Sequence, residues 1–168
     1  REELGTAAGP HQFAVGRAGG AEIMQKAIAV AAEHRPHAVV MKFDFRNAYN
    51  SLTKQAAREG LAQAARAVLA SHAVTLPDVA PTLASGVTTH WWVDALGEAC
   101  PVRAESGVDQ GCPLSPALFA LAVAPALARV AAALRELDQA ALVFAYLDDV
   151  VIHVDARHAE VAAVLVAT

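Results

Sequence analysis

Two short apolar runs with almost nothing between them constrain this chain more than any other feature. Leu142-Val143-Phe144-Ala145-Tyr146 and Val150-Val151-Ile152-His153-Val154 are rich in strand-forming residues, and only Leu147-Asp148-Asp149 separates them. So short a connection demands a tight antiparallel hairpin. Its tip then carries two adjacent carboxylates. Asp is a favoured turn residue, so the pair is also explained as ordinary turn chemistry.

A second acid sits where a plain core would not put it. Ala38-Val39-Val40-Met41-Lys42-Phe43-Asp44 reads as a mostly buried strand that delivers Asp44 at its end. A carboxylate at a strand end is costly to desolvate without a partner. Asp44 alone is equally explained as a turn starter or a local cap.

The remaining chain alternates helix and strand. Residues 1–20 read as loop, broken by Gly9-Pro10, Gly16 and Gly19-Gly20. Ile23, Ala27, Ile28 and Ala31 mark an amphipathic helix from Ala21 to His34, ended by Pro36. Thr53 is a plausible cap for an Ala-rich helix running to Ser71, followed by a Pro-punctuated loop over 75–87. Thr88–Ala95 and Ala99–Ala104 read as strands joined by Leu96-Gly97-Glu98. Leu114–Leu137 reads as a long helix, and another begins at Ala156. Interleaved helices and adjacent-strand hairpins predict an α+β fold with an antiparallel sheet and flanking helices.

Composition narrows the function. With 55% hydrophobic residues over 168 positions, the chain is too apolar to be disordered, and one compact domain is expected. No repeat or low-complexity segment is visible. Two cysteines exclude a disulfide scaffold, and Cys100 and Cys112 are expected to be thiols. The net charge of −4 gives no general electrostatic footprint for nucleic acid, so any such binding must rest on a local site or on flanking sequence. The apolar run Ala117–Ala128 is shorter than the roughly 18 residues of a membrane span. It is read as a core helix, with no membrane partner. Neither end resembles a natural terminus, so the chain is expected to be a fragment of a longer protein.

If the Asp44 strand lies beside the Asp148 hairpin, three carboxylates converge. Mg²⁺ prefers one or two carboxylates together with water and substrate phosphates. Such a cluster suits two-metal phosphoryl transfer, in which one ion activates a hydroxyl and the other stabilises the leaving oxygen.

Three segments, in order, resemble the reverse transcriptases. Lys42-Phe43-Asp44-Phe45-Arg46-Asn47-Ala48-Tyr49-Asn50-Ser51 resembles their motif A. Gly107-Val108-Asp109-Gln110-Gly111-Cys112-Pro113-Leu114-Ser115-Pro116-Ala117-Leu118-Phe119 resembles motif B, and Ala145-Tyr146-Leu147-Asp148-Asp149 resembles motif C. The resemblance runs from about Gln12 to about Val154. It is closest to enzymes of retrotransposons lacking long terminal repeats and of group II introns. Gln12-Phe13-Ala14-Val15-Gly16-Arg17 is similar to the fingers segment before motif A.

The resemblance implies a polymerase palm over about 37–168, a fingers segment over about 1–36, and further fingers and a thumb outside this sequence. A small sheet with helices on one face and nucleic acid on the other is expected. Asp44, Asp148 and Asp149 match the catalytic, metal-binding carboxylates, with the Phe45 backbone as a further ligand to two Mg²⁺ ions, for which Mn²⁺ is a possible substitute. Phe45, Asn47 and Ala48 would lie by the triphosphate, where successive N–H groups form an anion nest. Tyr49, five residues after Asp44, matches the ring under the sugar that excludes a ribose 2′-hydroxyl. Its alternative is plain core packing. Gln110 and Gly111 match residues beside the nascent base pair, and Arg17 is the candidate for the triphosphate contact, ahead of Lys42 and Arg46. Position 109 is often basic in these enzymes and is Asp109 here.

The implied activity is RNA-directed DNA polymerisation, with an RNA template, a DNA primer and dNTPs as partners. It implies retroelement replication and an intracellular location, nuclear in a eukaryote. The isolated piece is expected to be inactive, and the oligomeric state is open. The rivals are an RNA-dependent RNA polymerase, disfavoured by Tyr49, and a catalytically silent nucleic-acid-binding derivative. The pairs His34/His37 and His153/His158 lack zinc spacing. Trp91 and Trp92 face opposite sides of a strand, so one is expected in the core and the other is read equally as a packed or partner-facing ring or as one that stacks on a base.

Overall fold

The computed structural model describes residues 2–71, 88–109 and 111–167. Gln110 and the expected loop over 75–87 lie outside them. The order is α1 (Glu2–Ala7), α2 (Gly20–His34), β1 (Ala38–Asp44), α3 (Ala48–Ser51), α4 (Lys54–Ser71), β2 (Thr88–Val93), β3 (Ala99–Ala104), α5 (Ser115–Leu137), β4 (Leu142–Tyr146), β5 (Asp149–Asp155) and α6 (Ala159–Ala167), the last entered through a 3-10 turn over Ala156–His158. The expected α+β fold is present. The chain divides into two units, Arg1–Arg46 with Val123–Thr168, and Asn47–Ala122.

The first unit is built on a three-stranded antiparallel sheet in the order β1-β5-β4. Strand alternation sorts its side chains. Val39, Met41, Phe43, Val143, Ala145, Val150, Ile152 and Val154 join one core with Leu127, Ala131 and Leu134 of α5 and Ala162 of α6. On the opposite face, Phe144 and Val151 pack with Phe13 and with Met24, Ala27 and Ile28 of α2. The expected open face is therefore partly closed: α2 covers it over the middle of β5. What stays exposed on that side is Val40, Lys42 and Asp44 along β1, with Leu142 and Tyr146 at the two ends of β4.

Residues 1–20 also differ from the expected loop, since Glu2–Ala7 is helical. A six-residue helix with an interior glycine has poor propensity, so tertiary packing decides it. Gly5 provides that packing: a Cβ there would meet the Gly16 carbonyl oxygen at 3.3 Å.

Helix α5 runs through both units and carries Pro125 inside it. Over 23 residues it is long and apolar enough to cross a membrane by length and composition, although the apolar run read from the sequence is shorter. Its buried Leu118, Phe119, Ala120, Leu121, Leu127, Ala131 and Leu134 make it a core helix.

In the second unit, Thr53 caps α4, its Oγ1 accepting from the Ala56 N–H at 3.0 Å. Ala57, Val108 and Leu118 form the buried centre, with Tyr49, Leu52 and Leu61 against it. Gly60 lets α4 approach α5 closely, since a Cβ would lie 2.8 Å from Ala122 backbone atoms. The β2–β3 hairpin is a separate two-stranded sheet. Trp91 and Trp92 are 67% and 55% exposed, so neither ring is the expected core residue.

His153 is fully buried in β5, and neither ring nitrogen has a partner. Burial, helped by the Arg35 cation and opposed by Asp138, holds its pKa below the ordinary 6.5. The folded state therefore favours the neutral ring, and the unfolded state binds the proton more readily. The stabilising contribution is complete above about pH 6.5 and is lost as pH falls through the depressed folded value. Urea midpoints should fall from pH 7.5 to pH 5, and His153→Leu should flatten that slope.

Candidate active site

Strand register sets the site. In the β1–β5 ladder, Asp44 is the direct partner of Asp149, and in the β4–β5 ladder Tyr146 is the partner of Asp149. Directly opposed residues share a face and are near neighbours, and like charges in that relation repel. Both acids therefore project from one face, at the exposed end of the sheet, at an electrostatic cost. Asp148 follows at the hairpin tip, and its carbonyl accepts the Phe45 N–H at 3.3 Å. That bond carries the strand pairing one step past Asp44 and ties the segment after β1 to the tip.

Lys42 lies two residues before Asp44, on the same face. Its Nζ sits 2.9 Å from Asp149 Oδ1. The hydrogen bond and charge of Asp149 raise the Lys42 pKa, with Asp44 and Asp148 adding to the effect. A single ammonium thus feels all three acids. The sequence ranked Lys42 only as a weak triphosphate contact; the i, i+2 spacing to Asp44 was the signal that it shares their face.

The hairpin turn has two central residues, Leu147 and Asp148, and Leu147 adopts φ +55°. A positive φ at the first central residue belongs to the mirror-image turns that suit twisted hairpins, where glycine is usual. Leucine there is strained.

The donor chemistry at this end suits Mg²⁺: hard carboxylate oxygens, exposed or half-buried and so open to water. Among the described residues no three His, Cys, Asp or Glu side chains are gathered closely enough to hold an ion. The acids share one end of the sheet without forming a closed ligand cage.

Arg17 is held within its own segment. Its guanidinium donates to the carbonyls of Gly9 and Pro10 at 3.4 and 3.2 Å and lies 4.7 Å over the Phe13 ring.

The other expected site residues belong to the second unit. Asn47 caps α3 in the left-handed region with φ 56°, and its Oδ1 accepts from Asn50 Nδ2 at 2.9 Å. Ala48 is buried. The Tyr49 ring stacks on Phe119 with centroids 5.3 Å apart, and its carbonyl accepts the Val108 N–H at 2.9 Å. Gly107, at φ +83°, donates to the Leu52 carbonyl at 2.8 Å, and a Cβ there would meet Asn50 Cα at 2.9 Å. Gly107 and Val108 thus hold the start of the glycine-containing loop against α3 and Leu52 just after it. Gly111 has φ +91° with open space around it. Asp109, unexplained from sequence, has a partner: its Oδ1 lies 3.2 Å from His90 Nε2 of β2. Its carbonyl accepts the Ser115 hydroxyl at 2.7 Å, fixing the start of α5.

A family profile described as reverse transcriptase (RNA-dependent DNA polymerase) matches residues 10–167. The chain belongs to the reverse transcriptase family. Its fold is similar to that of a telomerase from Candida albicans solved with a fragment of telomeric RNA, at TM-score 0.71 and 14% identity, over 100% of this chain and 30% of that one. An apo telomerase from Candida tropicalis, truncated from its C-terminal domain, is similar at TM-score 0.70 and 13% identity, over 96% of this chain and 34% of that one. This chain therefore spans about a third of those proteins. No curated protein matches it.

Proposed function

We propose that this chain is the nucleotidyl-transfer part of a template-directed DNA polymerase of the reverse transcriptase type. The observation that carries the reading is the opposed pair Asp44 and Asp149 at an exposed sheet end, with Asp148 beside them on the tied hairpin tip. Three acids concentrated there raise the folded state's energy and are explained by a cationic ligand.

In the proposed reaction a primer 3′-oxygen forms a bond to the α-phosphorus of a dNTP, and pyrophosphate leaves with the electron pair of the broken P–O bond. Asp44, Asp148 and Asp149, with the Phe45 backbone, would hold two Mg²⁺ ions. Those ions would supply hydroxyl activation and stabilisation of the leaving charge. The protein's own part is positioning. The β1–β5 ladder fixes Asp44 against Asp149, and the Phe45–Asp148 bond fixes the hairpin tip. Asn47 and Ala48 would line the triphosphate, Gln110 and Gly111 the nascent pair, and Arg17 stays a candidate for the triphosphate contact. The RNA in the Candida albicans telomerase structure supports an RNA template. Retroelement replication, with nuclear location in a eukaryote, completes the reading.

A silent nucleic-acid-binding derivative is the second reading. It is favoured by the Lys42–Asp149 ion pair and by the absence of a closed cage among the described residues. Primer extension on an RNA template by the intact protein, with Mg²⁺ or Mn²⁺, decides between them. Incorporation of dNTPs supports the polymerase, and no incorporation with either ion rejects it.

Nucleotide choice tests Tyr49. Tyr49→Val should relax discrimination against rNTPs by roughly 10- to 100-fold. It should also lower stability, because the Phe119 stack is lost. Tyr49→Phe keeps the ring and should keep the discrimination. Equal use of rNTPs and dNTPs by the unsubstituted protein would remove Tyr49 from the sugar site.

A further inference from the structure

Gln12 is fully buried, yet its Nε2 has no partner. Its place in the chain explains what it does. The segment around it runs beside β4 through a parallel bridge between Gln12 and Ala145. Phe13 donates its N–H to the Ala145 carbonyl at 2.8 Å, and Ala145 donates to the His11 carbonyl at 2.7 Å. From this anchored position the Gln12 Oε1 accepts two backbone N–H groups, from Ala14 at 3.1 Å and from Leu147 at 2.9 Å. Both donors are N–H groups, so the amide must present its oxygen to them. The Nε2 is left as an orphan by that choice, which is costly inside a protein.

Leu147 is the residue that needs holding. Its positive φ is disfavoured for a leucine, and it immediately precedes Asp148. Relaxation of Leu147 to an ordinary φ would turn the tip and carry Asp148 away from the Phe45 N–H. Among the described residues, the only side-chain bond to the Leu147 N–H comes from Gln12.

We infer that Gln12 is a positioning residue: its buried side-chain oxygen locks the strained Leu147 turn and so aims Asp148 and Asp149. This deepens the polymerase reading and rests on it for its catalytic consequence, but the structural half stands alone.

The test uses the intact protein with Gln12→Met, which keeps length and burial but removes the acceptor. Hydrogen exchange at the Leu147 amide reads the lock directly, and it should quicken by about tenfold or more. For dNTP addition, kcat should fall about 10- to 100-fold, with KM for dNTP changed by no more than about twofold. Leu147→Gly supplies the discriminating background, because glycine holds a positive φ without help. There Gln12→Met should lower kcat by less than about threefold. If Gln12→Met does not fold, Gln12→Asn, which withdraws the oxygen by one methylene, carries the same expectation. An equal loss in both backgrounds, or a lower melting temperature with kcat and Leu147 exchange unchanged, would show Gln12 to be ordinary packing. Absence of extension by the unsubstituted protein would count against the polymerase reading alone, and the exchange result would still decide the lock.

Discussion

In the intact protein, Asp148→Asn should reduce dNTP incorporation by about a thousandfold, the equivalent of losing several kcal/mol of charge stabilisation in the transition state. Its melting temperature should stay the same or rise slightly. The asymmetry follows from the geometry. The bond that ties the hairpin tip to Phe45 is made by the Asp148 carbonyl, which the substitution leaves in place. The side chain is half-buried at a sheet end crowded with like charge, so removing one charge relieves repulsion. A melting curve and a single-nucleotide extension assay on the same preparation check both halves. Unchanged incorporation would take Asp148 out of the chemistry, and a large drop in melting temperature would make its role structural.

Gly20→Ala should be the most damaging of the conservative substitutions. A Cβ at this position would overlap the Phe13 carbonyl oxygen. Backbone cannot yield as a flexible side chain can, so α2 and the Gln12–Phe13 segment would have to separate. The cost should reach the upper end of overpacking, about 3 kcal/mol, and lower the melting temperature by about 10 °C. Separation there also loosens the segment paired with Ala145, so activity should fall further than the melting temperature alone implies. Thermal unfolding with extension assayed well below the transition separates the two effects. A protein as stable as the unsubstituted one would mean that the approach of Gly20 to Phe13 is not part of the native packing.

The legible part of this fold was the part written in local pattern. The apolar pentads around Leu147-Asp148-Asp149 gave the β4–β5 hairpin, and the apolar run ending at Asp44 gave β1 with the bounds found. Thr53 signalled a helix start because its side chain bonds within its own turn. What sequence could not supply was who packs on whom. The helix at Glu2–Ala7 depends on Gly16 across a loop, and the cover of α2 over Val151 depends on tertiary contact. The same limit applies to the site. Asp44, Asp148 and Asp149 were visible as misplaced acids, and the structure brings them to one end of the sheet. Lys42 as their shared counter-charge, His90 as the partner of Asp109, and Gln12 beneath the turn rest on contacts between residues distant in sequence or on different strands.

The pairing of Asp44 with Asp149 joins positions separated by about a hundred residues of chain, and ladders closed over such loops form slowly. Helices such as α4 and the β2–β3 hairpin can assemble from neighbours; the acidic centre cannot. During refolding, helical signal should therefore return before any capacity to bind Mn²⁺. A newly made chain would lack its acidic centre until β5 has been synthesised and has found β1.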